Sequence, residues 1–165
     1  MPAKTSLTIA SLLMALPVAA HAETPAAYVA KAGASDLYEK TSSSLVLRST
    51  KDAKVRSFAT MMVRDHNKST AMVKAAAAKA RLEAAAPRLT PDQRAMIAAL
   101  NKATGAARDS LYWEQQKAAH AEALTLHQSY ASTGAAEPLK TAAARIVPVV
   151  KQHIDILNGG EHQHH

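Results

Sequence analysis

Alanine is the most frequent residue of this chain and accounts for 38 of its 165 residues. Alanine loses no side-chain entropy in a helix, and the β-branched residues that favour strands are sparse here. The chain also has no cysteine, five glycines and six aromatic residues. These features exclude an all-β fold, a disulfide-stapled fold, thiol catalysis, zinc ribbons and iron–sulfur clusters. The composition therefore predicts one all-α domain, which is the default at this length.

The first 22 residues have the pattern of an export signal. Lys4 supplies a positive charge, residues 6–16 form an apolar stretch, Pro17 ends it, and residues 20–22 (Ala-His-Ala) form a small-x-small cleavage site. The apolar stretch is shorter than the roughly 20 residues that a membrane-spanning helix needs. We expect residues 1–22 to be cleaved off, with a retained anchor as the alternative, and no transmembrane segment to remain. The predicted location is the periplasm or the cell exterior, with outer-membrane association left open.

The chain that remains after cleavage is basic. Because Lys4 is the one charged residue of the signal, 19 Lys+Arg and 13 Asp+Glu remain, a net charge of +6. Such a balance can attract lipopolysaccharide, a membrane surface or nucleic acid. The basic residues are dispersed, however, and aromatic side chains that could stack on bases are not interleaved with them. We therefore expect no nucleic-acid partner. Solvated helix surfaces explain the charges most simply, and an anionic envelope surface stays open as a partner.

Proline, glycine and short polar runs divide the chain into helical segments. The predicted segments are helix A (25–50), helix B (53–85), a short helix (91–103), helix C (106–131) and helix D (137–157). Helix B carries apolar residues at spacings of three and four, the pattern of one buried face. Pro148 lies inside helix D, where a proline disturbs the hydrogen bonding and should kink the helix.

The lengths of the connections predict how these helices pack. Short turns join A to B and C to D, which predicts two antiparallel hairpins. The B–C connection (86–104) has some nineteen residues and is long enough to cross the length of a bundle. The predicted fold is a ferritin-like four-helix bundle over residues 23–157, with a long B–C crossover that contains the short helix. We expect the His-rich tail (158–165) to be disordered.

Each long helix carries one residue near its middle that could bind a metal: Glu39 in A, His66 in B, His120 in C and His153 in D. Counted from the turns, the two residues of each hairpin differ in depth by only roughly 5 and 7 Å, at about 1.5 Å rise per residue. Buried imidazoles and carboxylates are costly unless they are paired or bound to a cation. These four residues therefore form the predicted ligand set of a single metal ion.

Three nitrogens and one oxygen suit Zn, Fe, Mn or Cu, and the ligand types do not choose among these metals. The alternative is a metal-free core in which each histidine is satisfied by a polar neighbour. Asp65, Tyr112 and Gln116 are the candidate neighbours, and around a metal they would orient the ligands.

The sequence lacks the pattern of a dinuclear iron centre. Such bundles place a glutamate three residues before each ligand histidine of two helices. The residues at those positions before His66, His120 and His153 are Val63, Lys117 and Val150. This argues against a ferroxidase-type centre. No phosphate-binding glycine loop and no His-Glu-x-x-His motif is present, so whether the protein is an enzyme stays open.

Three further sets of residues are candidates for metal chemistry: His127, the tail histidines and the methionines of helix B. His127 lies two helical turns after His120, and we interpret it as a surface or rim residue. The tail histidines, His162, His164 and His165, form either a metal-binding tract or an added remnant. The methionines of helix B are interpreted as core filler rather than as a copper site.

Three blocks of the sequence point to a known family. They are Ser57-Phe58-Ala59-x-x-Met62-Val63-x-Asp65-His66, then Asp109-x-x-Tyr112-x-x-x-Gln116-x-x-x-His120, then Pro148-x-x-x-x-His153. In spacing and order they resemble the domain-of-unknown-function 4142 family, which comprises ferritin-like exported bacterial proteins often labelled as outer membrane proteins.

The resemblance implies a ferritin-like bundle with a metal-type site and no established activity. The matching positions are Glu39, His66, His120 and His153, with Asp65, Tyr112 and Gln116 as polar support. This chain departs from the family pattern at Arg108, where an apolar aromatic is usual, and at Thr41, where a second acid often lies. A carboxylate-rich version of the site is therefore in doubt.

The function we expect is that of an exported bundle that binds one transition-metal ion, for metal handling or envelope stress. The alternative is a metal-free structural or interaction module that docks on anionic envelope components through its basic surface. The two differ in whether stability depends on a metal.

Overall fold

The computed structural model describes residues 23–159, and within these residues the chain forms five helices and no strand. They are α1 (Pro25–Leu47), α2 (Ala53–Lys79), α3 (Pro91–Lys102), α4 (Gly105–Thr133) and α5 (Glu137–Leu157). The prediction of an all-α fold is confirmed. The predicted signal peptide and the tail histidines at 162, 164 and 165 lie outside the described residues. None of the described helices is both long and apolar enough to span a membrane.

Side-chain caps determine where several of these helices begin. The Thr24 hydroxyl accepts a hydrogen bond from the first turn of α1, and the Asp52 carboxylate accepts two from the first turn of α2. Thr90 and Gln93 form a reciprocal capping box at the start of α3, where Pro91 occupies the first helical position. The predicted starts of α1, α2, α3 and α5 agree with the structure because caps and prolines of this kind can be recognised in a sequence.

Helix α2 ends at Lys79, six residues before the predicted end at residue 85. Arg81 adopts a left-handed conformation with φ of 57°. The N–H of Leu82 donates to the carbonyl of Ala77, and the N–H of Arg81 donates to that of Ala78. This is the Schellman pattern, which closes a helix. The prediction was wrong because the alanines that follow favour a helix and hide this termination.

Arg108 joins the end of α3 to the start of α4. Its guanidinium donates to the carbonyl oxygens of Leu100 and Ala103 and to the hydroxyl of Ser49. The carbonyls at the end of a helix lack intrahelical partners, so a cation that binds them stabilises that end. The arginine that departs from the family pattern therefore has a local structural role.

The four long helices form a bundle in which each contacts two others. Helix α1 packs on α2 and α4, and α5 packs on α2 and α4, while α3 lies against α1 and α4. Tyr28 near the start of α1 contacts Tyr130 near the end of α4, so these two helices are antiparallel. The start of α2 shares an apolar cluster with Leu157 at the end of α5. Helices α2 and α4 run in the same direction, because the connection through α3 returns the chain along the bundle.

The interior of the bundle is apolar towards both ends and polar in its middle. One apolar cluster includes Tyr28, Tyr130 and Leu139, and the other includes Phe58 and Met62. Between them lies a layer of buried polar side chains, which we call the polar layer: Asp36, Glu39, Ser42, Ser43, His66, Ser69, Gln115, Gln116, His120 and His153. Helix α5 passes through Pro148 as one helix and delivers His153 to this layer.

Candidate metal centre

Three histidines from three helices converge in the polar layer. His66 of α2, His120 of α4 and His153 of α5 are all at least 95% buried, and their ring centroids are 5.3 to 5.8 Å apart. One ring nitrogen of each lies within 4.8 Å of the corresponding nitrogens of the other two. The shortest separation, 3.2 Å, joins Nε2 of His120 to Nδ1 of His153. The structure thus brings together three of the four predicted ligands.

The outward nitrogen of His66 is held by a carboxylate. Nδ1 of His66 lies 2.8 Å from Oδ1 of Asp36, whose other oxygen accepts a hydrogen bond from the hydroxyl of Thr70. A carboxylate only accepts, so Nδ1 of His66 carries the proton. Its Nε2 is buried and has no hydrogen-bond partner. In the neutral ring, Nε2 is therefore the nitrogen that His66 can offer to the group it forms with the other two histidines.

The other two rings are fixed in the same manner. Nδ1 of His120 donates to the backbone carbonyl oxygen of Gln116 at 2.9 Å, and Nε2 of His153 donates to Oδ2 of Asp65 at 3.3 Å. Their remaining nitrogens are the two that face each other. In neutral rings these nitrogens hold lone pairs, because the single ring proton of each is committed outward.

Lone pairs that converge in a buried space repel unless a proton or a metal ion lies between them. Metal-bound histidines almost always donate their other ring N–H to a carboxylate or a backbone carbonyl, and all three rings do so here. Two nitrogens bound at 2.0–2.1 Å to one tetrahedral Zn²⁺ would be about 3.3 Å apart. The 3.2 Å between His120 and His153 matches that spacing. The residues present therefore fit a metal ion.

Burial and neighbouring charges set the protonation of the cluster. Burial, assisted by His66 and His153, lowers the pKa of His120 to about 3. Burial also lowers the pKa of His153. Burial alone would lower the pKa of His66, but the hydrogen bond that His66 donates to Asp36 and the charges of nearby carboxylates outweigh it and raise that pKa. The polar layer thus combines two imidazoles that stay uncharged, those of His120 and His153, with carboxylates that attract a cation.

Glu39 lies beside the three histidines but not among their converging nitrogens. Its Oε1 is 3.7 Å from Nδ1 of His120, the nitrogen on the outward side of that ring. Its Oε2 is buried without a hydrogen-bond partner. Burial raises the pKa of Glu39 to about 7, against the opposing influence of His66 and Gln116. Its predicted role as the fourth ligand stays a prediction.

The predicted supporting residues occupy different positions from one another. Asp65, predicted as a polar neighbour of the ligands, contacts His153 and is held by Arg64 through two hydrogen bonds of 2.7 and 2.9 Å. Arg64 and His153 together keep the pKa of Asp65 below its usual range, although burial opposes this. Gln116 contributes its backbone carbonyl to the cluster, as described above, while its side chain donates to the hydroxyl of Ser42.

Tyr112 belongs to the polar layer's edge rather than to the histidine cluster. Its hydroxyl is 2.8 Å from the hydroxyl of Ser43 on α1. No hydrogen bond joins it to His66, His120 or His153 within residues 23–159. Its predicted support of the ligands is therefore indirect.

Asp36 belongs to the polar layer, although the sequence patterns gave it no role. It is 3% exposed and directly holds the ring of His66. A signal was available, because Asp36 lies three residues before Glu39 and so on the same face of the helix. The acid expected at position 41 in the family pattern is a threonine here, and the acid that pairs with His66 comes five residues earlier.

His127 is buried, not at the rim. It is 3% exposed, and its Nδ1 is 3.0 Å from the hydroxyl of Tyr28. The interpretation as a surface residue was wrong because α4 is covered along this face by α1. His127 packs beside the apolar cluster of Tyr28 and Tyr130, outside the group of three converging histidines.

Comparisons with known proteins agree with this architecture. The family model described as domain of unknown function DUF4142 matches residues 13–158. Among solved structures, a DUF305 protein from Streptomyces coelicolor, described as secreted, is similar at a TM-score of 0.68 and 16% identity. The similarity covers 87% of this chain and 98% of that one, and at this identity it shows the fold alone. No curated protein matches the chain.

Proposed function

Because the chain belongs to the domain-of-unknown-function family 4142, we propose that it is an exported protein that binds a single transition-metal ion in its polar layer. His66, His120 and His153 would be the ligands. Asp36, the carbonyl of Gln116 and Asp65 would hold the three rings in their binding orientation. The proposed role is metal handling in the cell envelope or a part in the response to envelope stress.

The observation that carries this proposal is the oxygen acceptor outside each of the three rings. Nδ1 of His66, Nδ1 of His120 and Nε2 of His153 each lie within 3.3 Å of an oxygen, so a neutral ring keeps its proton there and has its second nitrogen left for the group of three. Imidazole nitrogen suits Zn, Cu and Fe, and Mn accepts nitrogen together with oxygen ligands.

Three histidines leave a fourth coordination position. Glu39 is the nearest carboxylate with a free oxygen, and water is the alternative ligand. When bound, a metal with an open position supplies Lewis-acid chemistry and a more acidic bound water. The protein's own residues would orient the ligands and, through Phe58 and the apolar cluster around it, limit the entry of bulk water.

We further propose that residues 23–157 form a ferritin-like domain and that residues 1–22 are its export signal. The antiparallel neighbours, the parallel pair α2 and α4 and the long connection between them support the ferritin-like assignment. The secreted description of the similar Streptomyces protein supports export.

The test is metal content and thermal stability in a chain whose three tail histidines are replaced by alanine, so that the tail cannot bind metal. We expect about one equivalent of Zn, Fe, Mn or Cu and a melting temperature that falls when a chelator is added. In this background His120→Ala should lose the metal and the chelator effect. His127→Ala is the matched control, because it removes an equally buried histidine of the same helix and should keep the metal.

An unchanged stoichiometry in His120→Ala would place the metal elsewhere. If reconstitution with all four metals gives no binding and no change in melting temperature, the proposal is wrong. The histidines would then form a structural network, and the interaction module would become the working account.

A further inference from the structure

The positive charge of the protein is concentrated on one side of the bundle. Helices α2 and α5, which pack on each other, together carry nine Lys+Arg and three Asp+Glu. Helices α1 and α4 together carry four Lys+Arg and five Asp+Glu. The fold therefore brings charges that are dispersed along the sequence to one side of the bundle. Nearly all of the excess of Lys+Arg over Asp+Glu lies on α2 and α5.

Helical periodicity places four of the six basic residues of α2 on its flank towards α5, while Arg56 and Lys74 lie half a turn away. Asp65 marks this flank, because it contacts His153 of α5. Lys54 and Lys79 lie eleven residues before and fourteen residues after Asp65, close to three and four whole turns. Lys68 lies one turn away, with its Nζ 3.7 Å from Oδ1 of Asp65. We call the exposed basic side chains on this flank of α2 the basic face: Lys54, Arg64, Lys68 and Lys79.

The shape of the basic face identifies the kind of partner that it fits. Its lysines extend from Lys54 to Lys79 over roughly 37 Å of helix, at about 1.5 Å per residue. A single phosphate or a small anion would contact one of them at a time, whereas a surface of distributed negative charge would contact all of them. Phe58, the aromatic residue of these two helices, is buried, so the face offers no ring for stacking on bases.

We propose that the basic face docks on the surface of a bilayer that contains anionic lipids. A basic residue near such a surface contributes about 1 kcal/mol, so several together give reversible binding without an inserted anchor. Asp65, which contacts His153 of the histidine cluster and is partly exposed beside Arg64, lies on this same side. The proposal does not depend on a bound metal, because it rests on the distribution of charge alone.

The test is co-sedimentation of the full chain with vesicles of zwitterionic lipid, with and without about one-third anionic phospholipid. We expect binding that requires the anionic lipid and is lost at high salt. The variant Lys54→Glu, Lys68→Glu, Lys79→Glu should weaken binding at least about ten-fold. The control Lys31→Glu, Lys102→Glu, Lys117→Glu makes the same change in net charge on exposed residues of α1, α3 and α4, and it should weaken binding far less.

Equal weakening by both triple variants would show attraction by net charge only and would overturn the assignment to this face. Binding to a soluble anionic polysaccharide without binding to vesicles would overturn the bilayer as the partner. All six lysines are exposed, so the variants should keep the helical circular dichroism of the parent. Measuring their metal content alongside separates this test from the proposed function, because docking can fail while metal binding is retained.

Discussion

Asp36 determines which nitrogen of His66 faces the centre of the bundle. Its carboxylate accepts the Nδ1 proton, and this leaves Nε2 free to bind a metal. Without that acceptor the ring could turn or change tautomer, and either change would remove the lone pair from the cluster. The buried negative charge of Asp36 also favours any cation bound nearby.

We therefore predict that Asp36→Asn lowers metal affinity about 10- to 100-fold, the usual cost of losing the group that orients a ligand histidine. A competition titration with a chromogenic chelator measures this. Asp155→Asn, an exposed aspartate two residues after His153, is the control and should bind as the parent does. Equal affinities in the two variants would mean that Asp36 does not orient the ligand.

His127 should make the protein sensitive to acid. Burial is the main cause that lowers its pKa to about 4, from 6.5 in the unfolded chain. Above pH 6.5 both states are uncharged, so His127 contributes no pH dependence. As the pH falls towards 4, the unfolded chain binds the proton first, and the free energy of unfolding decreases by about 3 kcal/mol.

The variant His127→Gln removes this titration while keeping a polar side chain near the Tyr28 hydroxyl. In urea unfolding with chelator present, we expect it to lose less stability than the parent between about pH 7 and about pH 4.5. The quantity to compare is the stability that each protein loses over this pH range, because His120 and His153 also have lowered pKa values and titrate in both proteins. Parallel pH profiles would contradict the prediction.

At the residue scale, the sequence predicted the three converging histidines because each shares a helix face with apolar residues. It could not predict the partner of each outward nitrogen. Asp65 is adjacent to His66 in sequence, yet side chains at neighbouring positions of a helix point about 100° apart. Asp65 therefore reaches His153, and the acid that reaches His66 comes from α1. Such pairings depend on the rotation of each helix about its axis, which only packing fixes.

Helices end less predictably than they begin, and α2 shows why. Many helices end at a residue whose backbone is in the left-handed conformation, and glycine is the residue that adopts that conformation without strain. Here arginine occupies the position, so the sequence contained no glycine to mark it. Leu82 secures the termination by packing against the apolar cluster of Tyr28 and Tyr130, a contact between distant parts of the chain.

Arg81→Gly should accordingly raise the free energy of unfolding by about 1 kcal/mol, because it removes the steric cost of a left-handed residue with a Cβ. Arg88→Gly removes the same charge from an exposed position without positive φ and should be neutral or slightly destabilising. Urea unfolding of both variants beside the parent measures the difference. If Arg81→Gly is no more stable than Arg88→Gly, the strain at position 81 is negligible.

On the scale of the whole molecule, the histidine donors are divided between the two hairpins. The hairpin of α1 and α2 supplies His66 and its partner Asp36, and the hairpin of α4 and α5 supplies His120 and His153. Each hairpin can form from contacts that are close in sequence, but neither contains the whole cluster. The cluster therefore exists only when the hairpins are docked.

We predict that metal binding increases hydrogen-exchange protection in both hairpins together. A ligand that binds only the docked state, present at 100 times its Kd, adds about 2.7 kcal/mol to every opening that separates the hairpins. Amides at the centres of α1, α2, α4 and α5 should slow to similar extents, and those of α3 should slow less. Protection confined to α4 and α5 would show that the first hairpin is not engaged.

The polar layer also gives the bundle a register. Apolar side chains in the two end clusters would tolerate sliding one hairpin past the other by a helical turn, because one aliphatic contact can replace another. Hydrogen bonds between the hairpins, such as those of Asp65 with His153 and of Ser43 with Tyr112, form only at one alignment. The side chains of the polar layer therefore fix the alignment of the two hairpins along the bundle axis. A chain with an aliphatic middle layer would lose its unique packing before it lost its helices.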